Sequence, residues 1–537
     1  MRVSFKHLVV GSLLLLGGAA CADLDVVNYN SADAARALAT PSDVEALIKG
    51  SFGSQWSGGA SYSGLGPILS NASFQHTAPW ANFGMEQYGR IPRITTVNDP
   101  SDGMYSYLVR AWTYNYRAIA AIADGLRALE NEEISSELGP EAVARAKAYA
   151  KFVQALAHAD LALHYDMAFV VTEDTDLSLG NEPVAYPELL DIAMGLFDEA
   201  IALCGTSFDL GFDWMAGDVS NQDLQRFAHS LKARYMAETA RTPAERAAVN
   251  WNAVIQELDQ GITEDWMMNM DWEVGWSSSA LHYAGRPDWG QLNNFVWGMA
   301  DQSGNYQEWL SLPFSEKSYE FSDGRLVLWV TPDLRFPQGS TLAEQRANDN
   351  GAVVRISTAS EAGSVWARPD RGTWRWGWYK SVRGTEYRYK SPGVRDQPYF
   401  SLAEARLLKA EALFRTGNKA AAAAIINETR VPAGLNPADA AGTNTSCVPK
   451  LPNGSCGDLW EMLKWEKRVE TVYTGIEHAL WYYDSRGWGD LFKGTFLQLG
   501  TPCQELQVLQ MEPCMNYGGP GGEFGSPGST YAYPHEG

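Results

Sequence analysis

The chain has 537 residues, 45% of them hydrophobic, and a formal net charge of -22. That length and apolar content supply a large core and exclude a disordered chain. The acidic excess argues against nucleic-acid partners, which need clustered Lys and Arg, and against electrostatic docking on anionic lipid.

Residues 1–20 read as a secretory signal: Arg2 and Lys6 form the charged start and residues 8–16 the apolar run. The run is too short to span a bilayer as a mature helix, and no later stretch is apolar for long enough to do so. Gly18-Ala19-Ala20-Cys21 has the form of a lipobox, with Gly18 where Leu is usual. Ala20-Cys21-Ala22 also fits an ordinary A-x-A cleavage site. Residues 23–29 (DLDVVNY) read as an extended tether. Thr40-Pro41-Ser42-Asp43 then opens a helix, capped by Thr40 or Ser42, with Val44, Leu47 and Ile48 on one face and an end near Gly50-Ser51-Phe52.

Between residues 53 and 102 periodicity disappears. This Gly-, Ser- and Asn-rich segment carries Trp56, Tyr62, Trp80, Phe83 and Tyr88, and long loops of this kind are commonly functional or disordered. Helices are predicted over 105–130 and 140–165 as one hairpin, over 186–203 and 222–240 as a second, and from 244 to 262 as the start of a third. A Trp-rich insertion runs from about 266 to 398, with weak alternation over 375–390 that suggests short strands. The tail from 518 to 537 is rich in Gly and Pro and ordered only if it packs down. The chain thus divides into a signal (1–20), a tether (21–39), a main domain (40–517) and a tail.

Residues 399–429 carry the strongest local signal. Phe400, Leu407, Ala410 and Phe414 share one helix face. Gly417 provides the left-handed stop, and an Ala-rich helix starts at Lys419, so the two must lie antiparallel. Leu407 and Phe414 are expected to bury against Ile425 and the segment that follows, where Trp460, Leu463, Val469, Val472 and Tyr473 form a stripe. Gly417 and Ala422 fall where a tetratricopeptide repeat has its turn Gly and packing Ala. The order AEA-x-L-x-KAEAL-x-x-x-GN, IN-x-x-R, E-x-R-x-E and YDSRGWG, over 399–489, resembles the SusD/RagB family.

That resemblance implies an outer-membrane lipoprotein acylated on Cys21, which binds a nutrient, usually an oligosaccharide, beside a SusC-type TonB-dependent transporter. It implies a binding protein rather than an enzyme, and no cofactor is expected. The expected fold is mainly α: TPR-like helical hairpins in one compact domain with a large, irregular, Trp-rich insertion. Two other readings stand beside it, a surface glycosidase on a helical scaffold and a TPR-type protein-interaction scaffold.

Six cysteines are present. With Cys21 assigned to lipid and Cys204 at a helix end read as a buried thiol, four remain, and they allow three connectivities. Nearness in sequence favours Cys447 with Cys456 and Cys503 with Cys514, in a compartment that permits disulfides. No Cys-x-x-Cys occurs and the His are scattered, which disfavours a metal site. Glu466, Arg468, Glu470, Asp484 and Arg486 could mimic a catalytic carboxylate set, but spacing on an amphipathic helix reads as an ion-pair network. His158 and His164 lie on different faces of one helix and read as packing residues.

The loop aromatics are the binding candidates, because sugar rings stack on Trp and Tyr while amides and charged groups read hydroxyls. One loop supplies Trp80, Asn82, Gln87, Tyr88 and Arg90. The insertion supplies Trp272, Trp276, Asp288, Trp289, Gln291 and Asn293. Some of Trp80, Tyr88, Trp272, Trp276 and Trp289 are expected to meet in one solvent-facing cleft; the competing reading is that each Trp fills the core.

Overall fold

A computed structural model describes residues 38, 40–212, 215, 217–271, 278–286, 289–357, 368–387, 394–511, 514–521 and 523–536. The signal, Cys21 and the tether lie outside the described residues, as do Trp272, Trp276 and Asp288. The fold is mainly α. Among the described residues no helix is long and apolar enough to cross a membrane.

The first helix, Pro41–Ala60, is capped by Thr40, whose hydroxyl accepts from the Asp43 amide at 3.3 Å. It does not stop near Phe52 as its glycines suggested. Val44, Ile48, Phe52, Gln55 and Trp56 continue one buried stripe; Gly50 has open space beside it and is tolerated within the helix, while Gly58 and Gly59 serve packing. A Cβ on Gly59 would lie 2.0 Å from the carbonyl oxygen of Glu477. The segment read as aperiodic also holds a wholly buried helix, Leu65–Ala72, and a short one, Met85–Gly89.

Helices Tyr105–Ala128 and Pro140–His164 form the predicted hairpin. The second of these is buried almost all round from Ala146 onward, the mark of a central core helix. Tyr186–Leu203 packs on Pro140–His164 as well as on Asn221–Glu238, so the array is continuous rather than a set of separate pairs. Ser220 and Asp223 build a reciprocal cap on the latter helix. The predicted helix over 244–262 is two, Pro243–Ala248 and Trp251–Asp259.

Trp251–Asp259 packs on Leu402–Arg415, which pairs with Lys419–Arg430 through a turn in which Gly417 takes φ +89°. Leu407 and Leu408 are buried there, but Phe414 is only half-buried. It packs on Trp460 at 5.2 Å on the rim of the cluster formed with Leu459–Glu470, with the Lys419 ammonium 5.3 Å from its ring in place of an apolar cover.

The insertion is closed at its base. Its first strand, Trp266–Asp271, pairs antiparallel with Val394–Phe400. Inside it, Gln291–Leu292, Tyr379–Ser381 and Val354–Ile356 form a small antiparallel sheet, whose edge is completed by His76–Thr77 from the first long loop. Most tryptophans of the insertion are core: Trp297, Trp309 and Trp329 are fully buried. The tail packs down. Thr96 and Tyr517 exchange backbone hydrogen bonds at 2.7 and 2.9 Å, and Tyr533 enters the core beside Phe295 (5.3 Å) and Phe492 (6.3 Å). Cys447–Cys456 and Cys503–Cys514 are disulfides, and Cys204 is a buried thiol pushed up to about 12 by burial.

Candidate ligand-binding site

Strand register builds the site. His76 lies opposite Leu292 and Thr77 opposite Gln291. Continuing an antiparallel register brings the residues after Thr77 alongside those before Gln291. Trp80 and Trp289, far apart in sequence, therefore meet with ring centroids 4.7 Å apart. The loop then reverses sharply: Ala81, Phe83 and Gly84 all take left-handed backbone, at φ 58°, 51° and 76°. For the two residues with a Cβ this conformation costs about 1–2 kcal/mol each. It turns Phe83 back onto Trp289 at 5.1 Å.

Trp289 is the centre of the cluster, 2% exposed. Tyr283 stacks on it at 4.1 Å, and Tyr62 closes the ring of contacts at 4.2 Å from Phe83 and 5.3 Å from Tyr283. Trp80, Phe83, Tyr62 and Tyr283 remain half-exposed. The Arg286 guanidinium lies 5.6 Å from the Trp80 ring. On the other flank the Arg368 amide donates to Pro79 O at 3.0 Å and Arg371 Nη1 donates to Ala81 O at 2.6 Å, holding the loop in place. Beneath the rings is a small gap of about 10 Å3, bounded by Pro67, His76 and Met85. Burial pushes the His76 imidazole down to about 3, so it is neutral. Its Nδ1 and the Nε1 of Trp289 have no hydrogen-bond partner among the described residues.

Other sequence candidates sit elsewhere. Tyr88 is buried, and its ring meets Phe496 edge-on at 5.8 Å, because the Met85–Gly89 helix turns it toward the core. Arg90 is exposed and forked onto Glu86 at 2.7 and 2.8 Å, which uses its donors locally. Gln291 accepts from the Gly377 amide and Asn293 caps the Asn294–Trp297 helix, so both are structural. Asn82 and Gln87 are half-buried in the same loop as Trp80. Tyr283 escaped the sequence reading because it sits on a helix, one turn before the Trp289 loop; its nearness to RPDW was the only signal.

The carboxylates of the C-terminal helices belong to the scaffold. Arg335 bonds Asp333, Glu466 and Glu470 at 2.7–2.8 Å. Asp484 binds Lys467 (2.7 Å) and Arg246 (3.0 Å), and burial pushes it up to about 6. Arg468 pairs with Asp490 at 2.5 Å. His158 is fully buried, with Nδ1 2.8 Å from Gln154 O and Nε2 accepting from the Val171 amide at 3.3 Å; His164 hydrogen-bonds Tyr483.

No family model and no curated protein matches the chain. Among solved structures it is similar to SusD superfamily proteins. One, from Bacteroides vulgatus, is 14% identical with a TM-score of 0.49, over 84% of this chain and 89% of the other. Another, from Bacteroides fragilis, is 15% identical with a TM-score of 0.48, over 84% and 90%. A SusD-like carbohydrate binding protein from Bacteroides vulgatus is 15% identical with a TM-score of 0.43, over 81% of each chain.

Proposed function

We propose that the chain is a SusD/RagB-type cell-surface lipoprotein that captures an oligosaccharide and passes it to a SusC-type TonB-dependent transporter. The observation that carries the binding role is the half-exposed ring of Trp80, Phe83, Tyr62 and Tyr283 around Trp289. Exposed clustered aromatics are an aggregation hazard unless something stacks on them, and here a strained loop and a strand pairing are both used to assemble them. Sugar rings present the flat apolar faces such a platform fits. The motif order over 399–489 supports the family, the lipid anchor and the transporter partner. The ion-paired state of Glu466, Glu470 and Asp484 favours binding over hydrolysis.

The test is a glycan-array screen followed by calorimetry on the best ligand. Trp80→Ala should weaken binding roughly tenfold, the scale of one stacking residue, with the melting temperature nearly unchanged. Unaltered affinity in that variant would remove the aromatic ring as the site.

A further inference from the structure

A second cleft, with a volume of about 290 Å3, lies between the paired strands at the base of the insertion and the Val382–Thr385 helix. Its size is at the lower end of small-molecule sites, roughly 300–1,000 Å3, enough for one sugar residue. Arg383 lines it, half-buried, and has an unusual set of partners. Other buried guanidinium groups of this protein are forked onto a carboxylate, as Arg234 on Glu404 and Arg246 on Glu411, or spread over several oxygens, as Arg241 and Arg486 are. Arg383 donates to one oxygen, that of Val472, and has no carboxylate within salt-bridge reach among the described residues. A guanidinium carries five N–H donors in a planar fork. Ser381, 2% exposed, also lines the cleft, and its buried hydroxyl has no hydrogen-bond partner among the described residues.

A desolvated cation and an unused hydroxyl in one cleft call for an oxyanion. The rim decides which kind. Asp265 and Asp396 are exposed there, and Arg395 is paired with Glu386 at 2.7 Å. Rim carboxylates repel a multiply charged group such as a phosphate ester, but they accept hydrogen bonds from hydroxyls. A ligand with one carboxylate and several hydroxyls satisfies both the floor and the rim. We propose that this cleft binds a uronic-acid residue, its carboxylate held by Arg383 and Ser381 and its hydroxyls by Asp265 and Asp396.

The choice of a sugar acid over other carboxylates rests on the carbohydrate reading above. The cleft is also coupled to the aromatic site through the fold, since a Cβ on Gly384, next to Arg383, would lie 3.1 Å from Gly285, two residues after Tyr283.

Calorimetry with trigalacturonic acid and with its methyl ester, in which each carboxylate is replaced by a neutral, methyl-capped ester on the same sugar chain, tests the proposal. The wild type should bind the acid about tenfold or more tightly than the ester, the scale of one charge-assisted fork. Arg383→Gln should reduce the acid to the affinity of the ester. Ser381→Ala, a change small enough to leave the fold intact, should weaken the acid several-fold and leave the ester unchanged. Equal binding of acid and ester by the wild type overturns the proposal, and so does undiminished acid binding in both variants. A neutral oligosaccharide bound by the wild type and lost in Trp80→Ala would show that the carbohydrate reading survives that failure. If no sugar of either kind binds, both readings fall.

Discussion

Trp80 and Trp289 touch each other but carry different burdens. Trp289 is enclosed by Tyr283, Phe83 and Trp80, so Trp289→Ala removes a core side chain and should cost about 3–5 kcal/mol in urea unfolding. Trp80, half-exposed at the rim, should cost less than half of that while costing more in affinity. Similar stability losses in the two variants would mean that the rim is core. A second residue-scale expectation concerns acid. Burial holds His158 down to about 4, against 6.5 for a free imidazole. Between those values the unfolded chain binds a proton that the native chain does not, so stability is full above about pH 6.5 and falls as pH drops toward 4. The loss from this one group between pH 7 and 5 is about 1–2 kcal/mol. In His158→Gln, denaturation at the two pH values should show a correspondingly smaller difference. The sequence placed His158 and Trp289 on their elements, but it could not say which side of each faced the core. It therefore chose Tyr88, which is turned inward, and passed over Tyr283, which is not.

At the scale of elements, legibility followed periodicity. The hairpin around Gly417 was readable because its apolar stripe, glycine stop and Ala-rich partner all agree. The first helix was cut short at Gly50, which has open space beside it and is merely tolerated; the buried stripe that carries the helix on through Trp56 is a tertiary reason that no local window contains. The insertion sheet was legible only at Tyr379–Ser381, inside the stretch whose weak alternation suggested short strands; strands as short as His76–Thr77 and Gln291–Leu292 carry no alternation to count. Ion pairs were seen as a group, yet their main cation was not among them. Arg335 comes from the insertion and ties it to the Leu459–Glu470 helix through Glu466 and Glu470. Arg335→Met leaves those carboxylates, and Asp333, without their shared partner, and should cost about 3–5 kcal/mol by chemical denaturation. A loss under 1 kcal/mol would mean that the insertion is held by its apolar contacts alone.

For the whole molecule, attachment is the first question. Cys21→Ser should move the protein from the detergent-rich to the aqueous phase in Triton X-114 partitioning, and mass spectrometry of the native protein should find an acylated Cys21. An unmodified amino terminus at a later residue would remove the anchor. Recovery from outer membranes in mild detergent should bring a TonB-dependent barrel with it. The tail bears on a different question, that of time. Tyr533 shares the core with Phe295 and Phe492, and Tyr517 is bonded to Thr96. Contacts between such distant parts of a chain close slowly, because the loop between them must be ordered first. They also cannot exist until residues 517–533 have left the ribosome. This core therefore stays open while everything before it is being made, so the chain is still pliable when most of its helices can already have formed.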